Sequence, residues 1–206
     1  MADLQPGRME TPGRWSFQDS GGWRLLNPTN TTTQLIAEPG WPWPGIDFRG
    51  TVVDAALEYR LPAAPPATCW SLTGFVQYDG VYNSGGPISI AVLDERGVAL
   101  ASFTQERGPG PWGDGHRQAL RLNGFVFYVS DLANDAIRGA WQPFCLSVAA
   151  SKATLSYAGQ IVPAQPTPPG NWQHPAIIRL GMLGPGRGVR FVDLRFAAKF
   201  ASATGE

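Results

Sequence analysis

The sequence is short of charge, of lysine, of cysteine and of histidine. Charged residues make up 16% of its 206 positions, and 16 basic side chains cancel 16 acidic ones. With no positive field to collect phosphates, no nucleic-acid partner is expected. Basic clusters are missing as well, which argues against an anionic membrane surface. Lysine occurs only at Lys152 and Lys199, and arginine supplies the other basic groups. No run of apolar residues is long enough for a membrane-spanning helix, so no membrane insertion is expected. The opening MADLQPGRMETPGRW has no apolar h-region and does not read as a signal peptide. A cytoplasmic chain and a domain excised behind an added Met both fit that start. Two Cys and two His are too few for a zinc site of familiar spacing, and neither a metal nor another cofactor is expected.

What is abundant points to turns. The 25 Gly and 19 Pro rule out long helices without being dense enough for collagen or wholesale disorder. A hydrophobic share of 43% is enough for a core. From Ile46 onward the pattern is strand, turn, strand. In Thr68 to Tyr78, Trp70, Leu72, Val76 and Tyr78 alternate with Cys69, Ser71, Thr73 and Gln77. Pro87 to Asp94 and Val98 to Thr104 flank Glu95-Arg96-Gly97, with Gly where a positive φ is wanted. Ala119 to Val129 carries Asn123-Gly124, a strong hairpin signal. Strands are also expected at Thr51 to Leu61, Phe144 to Ala149, Ala153 to Tyr157, Ile177 to Leu183 and Val189 to Phe200. In the last of these, Val192, Leu194, Phe196, Ala198 and Phe200 are expected on one face. Asp131 to Gly139 is the only plausible helix, and Pro163 to Gly170 reads as a Pro-rich loop. The result is an all-β, two-sheet antiparallel sandwich over residues 46–206, preceded by an extended N-terminal arm, residues 1–45, packed on it.

Three stretches resemble the concanavalin-like jelly roll, in its laminin G and pentraxin branch. Ile46 to Tyr78 is similar to that family's opening strand, Pro-bearing loop and Cys-bearing strand. Gly139 to Gln160 is similar to its central hairpin. Ile177 to Phe200 is similar to its closing pair, with Leu180-Gly181 followed by a strand containing Val192-Asp193-Leu194-Arg195-Phe196. The resemblance implies that Cys69 and Cys145 face each other as a disulfide, which in the chain-entropy model would stabilise by roughly 4 kcal/mol. Two buried thiols are the alternative. The family's calcium site is not implied. It needs an acidic run after the Leu-Gly strand, and Met182-Leu183-Gly184-Pro185 has no carboxylate.

Catalytic patterns are thin. Glucanases of this fold need carboxylates two residues apart on one strand, and the six Glu are isolated. Asp54 and Glu58 share parity but sit four apart, which suits an outward face. His116 and His174 lie in Pro/Gly-rich loops with no nucleophile elbow nearby. Function is therefore expected in loops. Trp41 and Trp43, stiffened by Pro42, suit stacking on a sugar or a partner, or folding back as a plug. Asp79, Tyr82 and Asn83 form a polar tip. Trp112, Asp114, His116 and Arg117 set an aromatic, a carboxylate and a guanidinium side by side, as a polar glycan would want. Asn30 opens a glycosylation sequon, relevant only on a secreted chain. The expected function is a non-catalytic adhesion or recognition module, extracellular or at the cell surface, that binds a glycan or a protein. A jelly-roll capsid or spike domain on a virion is the alternative, with a homo-oligomer built through strand edges. A glycan-active enzyme is third.

Overall fold

A computed structural model describes residues 5–6, 8–11, 14–16, 20–21, 23–26, 31–36, 45–50, 55–78, 88–108, 117–129, 141–169, 171–182 and 189–201. All regular structure among them is β. The strands are β1 (Gln5–Pro6), β2 (Arg8–Thr11), β3 (Arg14–Ser16), β4 (Ser20–Gly21), β5 (Trp23–Leu26), β6 (Thr31–Ile36), β7 (Gly45–Gly50), β8 (Ala55–Arg60) and β9 (Ala67–Tyr78). They continue as β10 (Ile88–Leu93), β11 (Ala99–Gly108), β12 (Arg117–Leu122), β13 (Phe125–Val129), β14 (Gln142–Ala149), β15 (Lys152–Tyr157), β16 (Gln160–Pro166), β17 (Ile177–Met182) and β18 (Val189–Phe200). A seven-stranded sheet runs β13-β12-β11-β10-β17-β8-β5. A nine-stranded sheet runs β16-β15-β14-β9-β18-β3-β2, with β7 also on β18 and β6 on β7. The first 45 residues thus supply paired strands to both sheets. The proposed helix at Asp131 to Gly139 lies outside the described residues.

Alternation does what period two requires. In the seven-stranded sheet, Leu57, Leu180, Ile90, Phe103 and Leu122 stand opposite one another in register across five strands. In the nine-stranded sheet the matching row is Phe196, Leu72, Leu146, Leu155 and Val162. All ten are buried in one core. Each such side chain contributes about 1.5–3 kcal/mol of burial. Phe103 of one sheet packs 5.8 Å from both Phe144 and Tyr157 of the other, ring centre to ring centre. The Tyr157 hydroxyl then donates to Gln105 Oε1 across the sandwich, so the buried polar pair is satisfied.

The β18–β9 register shifts twice, between Val192 and Arg195 and between Lys199 and Phe200, and the first shift breaks the expected alternation. Val192 pairs with Phe75 and Arg195 with Thr73, leaving Asp193 and Leu194 opposite the single residue Gly74. Asp193 takes φ of 50° at this bulge. Phe191 thereby joins Leu194 and Phe196 in the core, and Val192 is buried outside that cluster instead of sharing their face. Gly74 makes room: a Cβ there would lie 2.8 Å from Leu194 Cδ2 and 3.1 Å from Phe144 Cε1. The stretch expected as a Pro-rich loop begins as strand β16, carrying Pro163 and Pro166. It is tolerated because β16 is an edge, where a missing N–H costs no ladder bond.

The two cysteines need a correction. They do lie on adjacent strands of one sheet, β9 and β14. However, Cys145 faces Thr73 and Cys69 faces Ala149. Four residues of strand separate them, roughly 13 Å at about 3.3 Å per residue, where a bridge needs Cα atoms within about 7 Å. Both are free thiols. Burial pushes the Cys145 thiol above its ordinary pKa, which keeps it protonated and inert.

Candidate functional site

The topology sorts the connections onto two ends. β9, β11, β13 and β17 all run toward one end, and β10, β12, β14 and β18 all run back from it. Tyr78, Ile88, Gly108, Arg117, Val129 and Met182 therefore finish or begin strands at this far end. Asp79, Tyr82, Asn83, Trp112, Asp114 and His116 lie outside the described residues, but the segments carrying them leave and re-enter the sandwich there. Arg117 opens β12 at the same end, opposite Gly108. Trp41, Trp43 and Asn30 also lie outside the described residues, and the strands flanking Trp41 and Trp43 pair Ile36 with Gly45.

The described residues of the near end form short, locally determined turns. Asn123-Gly124 and Ala150-Ser151 are two-residue connections with positive φ at both positions, and Ala158-Gly159 is a third of the same kind at the far end, between β15 and β16. The first is the hairpin that its Asn-Gly predicts. Its Asn123 side chain accepts from Ser102 N at 2.9 Å and donates to Pro166 O at 2.9 Å, tying one sheet to the other. In the β10–β11 turn, Asp94 Oδ1 accepts from the backbone N–H of Arg96 and of Val98, each at 2.9 Å. Arg96 adds an ion pair at 3.0 Å. The Val98 N–H above all, with help from Arg96 and against the effect of burial, holds the Asp94 carboxyl below the usual carboxylate range.

A cleft of about 190 Å³ opens at this end. Its walls come from the β8–β9 loop, from Glu95, from His174 to Ala176 and from Phe200. The prolines of Leu61-Pro62-Ala63-Ala64-Pro65 fix that loop's backbone. Leu61 N donates to Ala176 O at 2.8 Å, Ala176 N to Leu93 O at 2.9 Å, Ala67 N to Gln173 O at 2.7 Å and Ala201 N to Pro66 O at 3.0 Å. The Trp70 indole N–H reaches up from the core to Trp172 O at 2.8 Å. The sequence placed His174 in a Pro/Gly-rich loop, apart from the prolines that follow Leu61. Nothing in their spacing showed that they meet.

A second polar cluster lies on the outer face of the seven-stranded sheet. Arg24, Glu58 and Arg179 are directly opposed on three neighbouring strands. Glu58 is 6% exposed. It accepts from Arg179 Nε at 2.8 Å and Nη2 at 2.5 Å, and from Arg24 Nη2 at 3.5 Å. The outward reading of Glu58 holds, with two guanidinium groups covering it. Both carboxylates buried among the described residues, Glu58 and Asp94, are thus engaged in holding strands and a turn. Among the described residues no group of three or more Asp, Glu, His or Cys is placed to hold a metal ion. No helix there is long and apolar enough to cross a membrane.

No protein-family model matches the chain, and no curated protein matches it either. Solved structures match its fold at low identity. A sialidase superposes with a TM-score of 0.61 at 10% identity over 88% of this chain, which spans only 17% of the sialidase. A carbohydrate esterase of the Shiga toxin-encoding bacteriophage phi24B gives 0.60 at 12% identity, over 86% of this chain and 90% of its own. The CBM2 module of the evolved Dit of Lactobacillus casei BL23 phage J-1 gives 0.56 at 9%, over 85% and 93%. The chain is an all-β, two-sheet antiparallel sandwich with a jelly-roll-like fold that it shares with these structures, and that fold is not particular to laminin G or pentraxin domains.

Proposed function

We propose that this chain is a recognition module that binds a glycan and leaves it chemically unchanged. The observation that carries the reading is the convergence of strand ends at the far end of a lectin-like sandwich. The segments holding Tyr82, Asn83, Trp112, Asp114, His116 and Arg117 begin and finish side by side there. A rigid frame from which separate segments rich in aromatic, amide and guanidinium groups depart at one end suits a polyhydroxylated ligand. The structural employment of Glu58 and Asp94 supports binding over hydrolysis, which requires a free carboxylate pair at a set separation. The test is a glycan array probed with the full chain and with Trp112→Ala/Arg117→Ala. Binding by the parent, lost in the variant at unchanged melting temperature, is expected, with bound glycan recovered at its original mass. An array with no bound glycan contradicts the reading, and cleaved glycan contradicts its non-catalytic part.

The origin of two structural neighbours in bacteriophages favours a second reading, a virion attachment domain. That reading expects a symmetric oligomer in light scattering, and a monomer at micromolar concentration argues against it.

A further inference from the structure

We propose that the near-end cleft is a separate subsite for one acidic sugar unit, a pyranose ring bearing a carboxylate. This rests on the glycan reading and deepens it. The cleft is preformed, since four backbone hydrogen bonds lock the segments that wall it. Its walls are of mixed polarity: Leu61, Pro62, Pro65, Pro175 and Phe200 present C–H surface and one aromatic ring beside a nearly equal polar share. Three polar groups interrupt them, Arg60, Glu95 and His174. Among the described residues, none pairs with the side chain of Arg60, Glu95 or His174, whereas Arg24, Arg96, Arg179 and Arg195 are all spent on carboxylates of the protein. A rigid cavity that joins C–H walls to a few unspent polar groups suits a small ligand with both kinds of surface, as a sugar ring has. Its volume is below the roughly 300–1,000 Å³ of drug-sized pockets, so it admits about one ring.

The chemistry of the rim selects the ring. Arg60 offers a planar, always-charged fork matched to a carboxylate. His174 adds a second donor or acceptor. Glu95 accepts hydrogen bonds from ring hydroxyls and repels a second carboxylate on that side. The proline and phenylalanine walls meet the C–H face of a pyranose. A neutral hexose leaves Arg60 without its partner and therefore binds more weakly.

The probes are methyl β-glucuronide and methyl β-glucoside, which differ only in the carboxylate, titrated into the full chain by NMR. The glucuronide is expected to bind about tenfold more tightly, as loss of one good charged contact implies. Arg60→Ala is expected to erase that preference and Arg60→Lys to restore part of it. Glu95→Gln is expected to weaken both probes while keeping the preference. Arg60 is exposed, so its variants should fold normally. Equal affinity for the two probes, no binding of either, or an unaltered preference in Arg60→Ala overturns the subsite. If array glycans are still held while both probes fail, only this subsite falls. If the chain holds no glycan at all, the function proposed above falls with it.

Discussion

The two ends of the sandwich are made differently. At the near end, two-residue turns, a proline-stiffened loop and one saturated aspartate close the gaps between strands. There backbone hydrogen bonds, with the side chains of Asp94 and Asn123, hold the segments together. At the far end, longer segments join the same strands, among them 79–87, 109–116 and 130–140. Substitutions in the near-end turns and in the core beneath them should therefore act on stability, those at the cleft rim excepted. Those in the far segments should act on binding.

The sharpest way to break this contrast is Trp70→Ala. It empties a buried indole volume and cuts the bond to Trp172 O that anchors the cleft wall. A loss of about 3–5 kcal/mol is expected in denaturant unfolding, whereas Trp41→Ala/Trp43→Ala is expected to abolish partner binding at nearly unchanged melting temperature. A collapse of stability in the latter would show those rings acting as a plug. Next is Arg179→Ala, which leaves Glu58 buried with only the distant Arg24 partner. About 2–4 kcal/mol is expected to be lost, as for other buried charges stripped of a partner. Gly74→Ala drives a methyl into Leu194 and Phe144, and about 1–3 kcal/mol of overpacking follows. The smallest effect has the opposite sign. Ala150→Asn/Ser151→Gly places good left-handed formers in a turn now made by Ala and Ser at φ of 48° and 60°. It should add about 0.5–1 kcal/mol.

Acid provides a further probe of the near end. The Asp94 carboxyl has its pKa lowered in the folded chain, so its contribution is complete above the unfolded carboxylate range. It is lost as pH falls through the folded value. The melting temperature of Asp94→Asn should accordingly fall less steeply with acid than that of the parent.

Much of this frame was legible in the sequence, and the failures are instructive. Alternation located Val189 to Phe200 to the residue, and Asn-Gly and the Gly97 turn announced their hairpins, because these signals are local. The bulge at Asp193 was invisible because its cause is Gly74, on another strand. β16 was hidden by its prolines, since only the tertiary arrangement makes it an edge. The cysteines were placed on the right strands but in the wrong register, which no spacing along the chain can fix. The cleft was missed for the same reason: Arg60, Glu95 and His174 come from three distant segments. Intact mass with and without reductant checks the cysteine register directly. Two free thiols leave it unchanged, and a bridge gains the mass of two hydrogen atoms on reduction.

The most direct test follows backbone amide shifts while an array-selected glycan is titrated into the full chain. Movement is expected at the strand termini of the far end, around Tyr78, Ile88, Gly108 and Arg117, with the strand interiors still. Acidic sugars should add a second set of shifts at Arg60, Glu95 and His174. Shifts confined to the outer face of either sheet, such as around Arg24, Glu58 and Arg179, would contradict recognition at the ends of the sandwich.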